Sequence, residues 1–266
     1  MQIVPTRRPP ADPRALLPGA DPARSLDDWG RSERVDAFVD ATVYDVLYHL
    51  WFRCEVEGIE HVPAEGGALL VANHSGALPP DAAMIAKAIR EEHPRPRALA
   101  LAVDPAFKGV PGVSMLLPRL GAVPAHPANI QRLLHDERRL VLVFPEGRAG
   151  TEKLYKDRYR LRRFGRGGFV AAAIRAGVPI VPVAVVGAEE AMPVLARLPR
   201  VGALAVPVYL PAKFTIRFLE PVRTDELGED AAGDATLVRE VAGDVRASIQ
   251  DTLHDLVARR RSVWLG

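Results

Sequence analysis

Three short apolar runs constrain this chain most: Ala68–Ala72 and Leu140–Phe144, each followed at once by a motif with polar residues, and Ile180–Val186. None alternates with polar residues, so each suits a strand buried on both faces of a sheet rather than one that wets a side. Stretches with helical spacing lie between them. Strands alternating with helices argue for an α/β fold whose sheet is mixed but mostly parallel and flanked by helices. No internal repeat and no linker is visible, so a single domain is expected.

Before the first run, Val35, Phe38, Val39, Val43, Val46, Leu47, Leu50 and Trp51 recur at steps of three and four, predicting an N-terminal amphipathic helix over 34–51. A strand is expected over 53–59, a helix over 80–90 with Pro80 in its first turn, and a strand over 98–103. A helix over 107–117, a short strand at Ala122 and Val123, and a helix over 129–134 follow. Phe169 to Ala176 reads as a small-residue helix closed by Gly177. Phe214 to Phe218 reads as a strand. A long C-terminal helix is expected over 234–259, with Leu237, Val241, Val245, Ile249, Leu253 and Leu256 as its apolar stripe.

With 266 residues, 48% hydrophobic and 26% charged, the chain is large enough and apolar enough to build a sizeable core. The Pro-, Ala- and Arg-rich residues 1–25 read as a flexible N-terminal arm, leaving 26–266 as the folded domain. They lack the apolar core of a signal peptide, and no run reaches the roughly 18 apolar residues of a membrane-spanning helix. One cysteine, Cys54, permits no internal disulfide. The expected location is the cytoplasm, peripheral on the inner face of the membrane. The aromatic end of the first helix, with Tyr44, Tyr48 and Trp51, either packs on the core or dips into lipid. A net charge of +2 gives no pointer to nucleic acid, and no such partner is expected. Yet seven Lys/Arg between Lys153 and Arg166 stand against one acid, Asp157, a block that attracts phosphate or anionic lipid unless it is only a solvated surface.

A short motif goes with each of the three apolar runs, and open α/β sheets place sites at such strand ends. After the first come Asn73-His74-Ser75-Gly76 and then Asp81. A histidine there can take a proton from a hydroxyl near neutral pH. A carboxylate on its other ring nitrogen would fix the tautomer and stabilise the imidazolium. The plainer alternative is a loop histidine with Asp81 as a helix cap. Ser75 raises a serine hydrolase, but adjacent loop residues seldom face each other and the G-x-S-x-G elbow is absent.

Asn73-His74-Ser75-Gly76 with a following Asp, then Phe144-Pro145-Glu146-Gly147, then Val178-Pro179-Ile180-Val181-Pro182-Val183, in that order, resembles the glycerol-phosphate and lysophosphatidate acyltransferase superfamily. The stretch Arg166 to Val170 leading to Gly177 is similar to its monoacylglycerol-acyltransferase-like branch. The resemblance covers about residues 55–220. It implies that His74 is the general base on the acceptor hydroxyl and that Asp81 orients it. It implies substrate contacts by Asn73, Ser75, Glu146, Gly147 and Arg148, with Pro182 shaping the acyl-side wall. The co-substrate would be an acyl thioester, acyl-CoA or acyl-carrier protein, with a lipid acceptor, no metal and no other cofactor.

Two departures stand out. Six residues separate His74 from Asp81 where the family has four, and the Glu-Gly-Thr-Arg run reads Glu146-Gly147-Arg148-Ala149. Lys153, Lys156 or Arg158 is the expected substitute for the displaced arginine. The segment Gly121 to His126 also lacks the family's other phosphate-binding arginine. A neutral lipid alcohol is therefore an expected acceptor. A lipid-binding protein without turnover, and a hydrolase of acyl thioesters or lipid esters, are the alternatives.

Overall fold

The computed structural model describes residues 26–75, 80–105, 112–198, 202–206 and 208–265. The N-terminal arm, most of the loop between His74 and Asp81, and 107–111 of the expected third helix lie outside the described residues. Helix α1 (Glu33–Val39) runs on through π-helical turns Asp40–Tyr44 and Val46–Trp51. Then come β1 (Glu55–Glu57), β2 (Ala68–Ala72), α2 (Asp81–Glu92), β3 (Leu99–Val103), α3 (Val113–Arg119), β4 (Ala122–Pro124), α4 (Pro127–Gln131) and β5 (Leu140–Val143). The chain continues with α5 (Arg148–Thr151), α6 (Gly168–Ala176), β6 (Ile180–Val186), α7 (Ala188–Ala191), β7 (Val194–Leu198), β8 (Gly202–Ala205), β9 (Thr215–Phe218) and α8 (Ala235–Arg259).

Seven strands form one sheet in the order β1-β9-β6-β2-β5-β3-β4. All neighbours are parallel except β6 and β9. The three apolar runs lie side by side at its centre: Leu70 pairs with Leu142 on one flank and with Val181 on the other. Every residue of β2 and β6 is buried, as unbroken apolar runs require. Leu69, Val71, Val141, Ile180 and Ala184 pack under α4, α6 and α8, while Leu70, Ala72, Leu142, Val181 and Val183 pack under the α1 extension and α2. Helix α2 buries Met84, Ile85, Ala88 and Ile89, a stripe at helical spacing. Gly177, at φ 62°, adopts the left-handed turn that ends α6 and lets β6 begin.

Two stripes differ from expectation. In α8 the buried residues are Val238, Ala242, Val245, Ile249, Leu253 and Leu256, whereas Leu237 and Val241 are half-buried. A strict step of four drifts by about 40° per step against a turn of 3.6 residues, so the stripe has to shift by one. In the α1 extension the apolar residues split between two faces. Tyr48 and Phe52 are buried, and Phe52 stacks on Phe214 at 4.2 Å, while Val43, Val46, Leu50 and Trp51 stay exposed. Here Phe52 N donates to Leu47 O at 2.8 Å, an i→i+5 bond that changes which side chains share a face. Tyr48 thus packs on the core. The hairpin β7–β8 and helix α7 had no counterpart in the sequence reading. Burial pushes the Cys54 thiol up, which suits an inert side chain.

Candidate active site

The carboxyl ends of β2, β5 and β6 open on one edge of the sheet, and the candidate residues gather there. His74 leaves the end of β2. Its Nδ1 lies 3.1 Å from Asp81 Oδ2, at the first residue of α2. The lengthened loop therefore still returns the carboxylate to the histidine. Asp81 is fully buried; Oδ2 also accepts from Ser75 N at 3.2 Å, and Oδ1 accepts from Ala82 N at 2.8 Å. A helix N-terminus suits negative charge. The His74 ring stacks on Phe144 at 4.0 Å and 16°. With Nδ1 turned to the carboxylate, Nε2 has no protein partner among the described residues. That arrangement can accept a proton from a hydroxyl and return it to a leaving group.

The other sequence candidates sit around this pair in different ways. Asn73 is buried and clamps β2 to β6, donating to Val185 O at 2.9 Å and accepting from Val185 N at 2.7 Å. Ser75 is buried, with its Oγ 3.4 Å from Asp81 Oδ2 and no bond to the histidine, which is the wrong arrangement for a nucleophile. Glu146 supports His74 from below: Oε1 accepts from His74 N at 3.1 Å and Oε2 from Arg162 N at 2.6 Å. Gly147, at φ 52°, makes the turn that leads into α5. Arg148 points outward and pairs with Glu152 at 3.0 Å. Pro182 lies inside β6, paired with Val71 below the edge.

Lys153 is the clearest correction. Expected at a phosphate, its ammonium is instead buried, 3.0 Å from Glu189 Oε1 and 3.5 Å from Glu146 Oε2. It is already neutralised and cannot reach an outside anion. No local pattern signals this network, because Glu189 follows β6, far along the chain. Glu189 also accepts from Tyr159 N at 3.1 Å; burial pushes its carboxyl up to about 7 while Lys153 pulls it down. Tyr159, Glu190 and Arg260 extend the network, with Tyr159 OH bonded to Glu190 and Arg260 3.2 Å from Glu190. Gly150 was also missed. A Cβ there would sit 3.0 Å from the Cβ atoms of both His74 and Glu146, so this turn packs directly on the histidine.

Two other features do not compete. A cleft of about 740 Å³ opens between Gly67, Leu134, Arg138 and Pro179, at the amino ends of the central strands, and contains neither His74 nor Asp81. Asp45, His49 and Glu91 form a cluster of potential metal ligands, but Lys87 Nζ lies 3.2 Å from Asp45 and 3.3 Å from Glu91, where a cation would have to sit.

Comparison with known proteins bears on the family and the fold. The acyltransferase family model matches residues 53–186. Uncharacterized proteins of Mycobacterium tuberculosis and Mycobacterium bovis are each 37% identical over 260 residues, covering 91% of this chain and 72% of theirs. A Bos taurus protein, the DGAT1/2-independent enzyme synthesizing storage lipids, is 32% identical over 143 residues, covering 53% of this chain and 41% of that enzyme. The crystal structure of the 1-acyl-sn-glycerophosphate (LPA) acyltransferase PlsC from Thermotoga maritima shares the fold, with a TM-score of 0.59 at 19% identity, over 86% of this chain and 83% of that one. On the family model, which spans half of it, the chain belongs to the acyltransferase family.

Proposed function

We propose that this protein moves an acyl group from a thioester to a hydroxyl of a lipid acceptor, with His74 as general base and Asp81 holding it. The observation that carries the reading is the 3.1 Å contact of His74 Nδ1 with a buried carboxylate at the carboxyl edge of the sheet. In this reading Nε2 takes the proton of the acceptor hydroxyl as its oxygen attacks the thioester carbonyl. The C–S bond then breaks, and the imidazolium returns the proton to the departing thiolate. An acyl-enzyme is not needed, and the burial of Ser75 beside Asp81 argues against one on that residue.

A neutral lipid alcohol is the acceptor we favour. Arg148 is tied to Glu152, Lys153 is buried against two carboxylates, and Gly121 to His126 contains no arginine. The bovine relative's name, as an enzyme of storage-lipid synthesis, points the same way. Labelled acyl-CoA incubated with monoacylglycerol, diacylglycerol or lysophosphatidate should give labelled ester mainly from the neutral acceptors. Ester from lysophosphatidate alone would refute the neutral-acceptor reading.

The substrates are amphiphilic, and the protein offers an apolar surface to meet them. Val43, Val46, Leu50 and Trp51 are exposed on the α1 extension, and no described helix is long and apolar enough to cross a membrane. Trp51 Nε1 donates to Tyr209 O at 3.1 Å, leaving the ring half exposed, as suits an aromatic side chain at a lipid interface. Leu50→Ser with Trp51→Ser is expected to cut co-sedimentation with phospholipid vesicles several-fold while sparing turnover of a water-soluble short-chain thioester. Equal losses in both assays would assign the two residues to packing.

A further inference from the structure

The basic block around residues 153–166 resolves into a fixed strap. Tyr159, Leu161 and Phe164 are buried on the sheet face covered by α6 and α8, and Arg160, Arg163 and Arg166 between and beyond them are exposed. The backbone is held from Tyr159 to Arg162. Gln250 of α8 accepts from Leu161 N at 2.8 Å and donates to Tyr159 O at 2.7 Å, and Arg246 donates to Leu161 O at 2.7 Å. Tyr159 has φ 60°, in the left-handed region that non-glycine residues avoid, so its surroundings fix it. Arg162 N is bonded to Glu146, whose other oxygen holds the backbone of His74. The strap is therefore rigid and tied to the histidine through one carboxylate.

Surface arginines here are of two kinds: Arg119, Arg138, Arg175 and Arg261 are exposed without a carboxylate partner among the described residues, and others are paired, including Arg158 with Glu190 and Arg162 with Asp157 in the strap itself. Arg132, Arg217, Arg223 and Arg259 each pair with a carboxylate. Lys156, Arg160, Arg163 and Arg166 are exposed, with no carboxylate partner among the described residues. Like charges held along one short segment repel one another, and a polyanion relieves that repulsion. The exposed apolar residues of the α1 extension belong to the opposite face of the sheet. The two faces thus offer different chemistries to the same edge.

We propose that Arg160, Arg163 and their neighbours Lys156 and Arg166 bind the phosphates of a coenzyme A thioester, placing its acyl carbon at His74 while the lipid acceptor arrives from the other face. This rests on the thioester-donor reading above. The pantetheine arm separates thioester from phosphates, so the phosphate site must stand off from the histidine yet keep a fixed relation to it. The strap meets that requirement, and Lys153, buried inside, does not.

The test compares acyl-CoA with the acyl thioester of N-acetylcysteamine, which lacks the phosphates. For Arg160→Glu with Arg163→Glu, the ratio of kcat/KM for acyl-CoA to that for the phosphate-free thioester should fall by about tenfold or more relative to wild type. Free CoA should bind more weakly by calorimetry, with wild-type affinity declining as salt rises. An unchanged ratio overturns the proposal, even if binding to anionic vesicles is lost, because the strap would then serve lipid headgroups. If wild type turns over neither thioester, the donor reading fails, and the CoA titration decides alone: weaker binding by the variant keeps the phosphate site, and equal binding removes it.

Discussion

Replacing His74 by alanine is expected to lower acyl transfer by about 10²- to 10⁴-fold, the range general-base catalysis contributes. The loss should fall on chemistry rather than folding. The bond from the residue 74 backbone N–H to Glu146 survives the substitution. Asp81 keeps Ser75 N and Ala82 N as donors, so its buried carboxylate is not left bare. What goes is the imidazole and its stack on Phe144. The circular dichroism spectrum and melting temperature should stay near wild type while turnover vanishes. Activity within about threefold of wild type would remove His74 from the mechanism.

The largest stability effect should come from Lys153→Met. The ammonium is the cation nearest two buried carboxylates, Glu146 and Glu189. Removing one partner of a buried ionic cluster costs about 3–5 kcal/mol, because a buried charge is left without its counter-ion. Glu146 would then be held less firmly beneath His74, so activity should fall as well. The check is the urea midpoint of Lys153→Met against Lys153→Met with Glu189→Gln. The second change removes one stranded charge and should recover part of the loss. A midpoint within experimental scatter of wild type for Lys153→Met would contradict the account of the network.

The parts of this site that were legible in the sequence are those built locally or from unbroken apolar runs. Residues 68–72, 140–144 and 180–186 could hardly be other than central strands, and those strands carry His74 and Glu146 to one edge. The return of Asp81 to His74 spans a single loop, and a carboxylate opening α2 is a local feature. The buried cluster was not legible. Lys153 reads as one member of a basic run, and only the packing of β6 brings Glu189 and Glu190 beneath it. Nothing in a run of lysines and arginines tells which one turns inward. The hairpin β7–β8 was hidden for another reason: around Pro193, alanine and arginine interrupt the alternation that marks a strand. The α1 extension was placed correctly as a helix, but its π-turns redistributed its apolar residues in a way that regular spacing does not anticipate.

The most direct measurement is thiol release from acyl-CoA, followed with and without a neutral lipid alcohol, by wild type and by His74→Ala. The account predicts release by wild type that depends on the acceptor and matches ester formed mole for mole, with almost none from His74→Ala. Release that proceeds without acceptor would mean water is the acceptor and the protein a hydrolase, and release that survives the loss of His74 would contradict the mechanism itself.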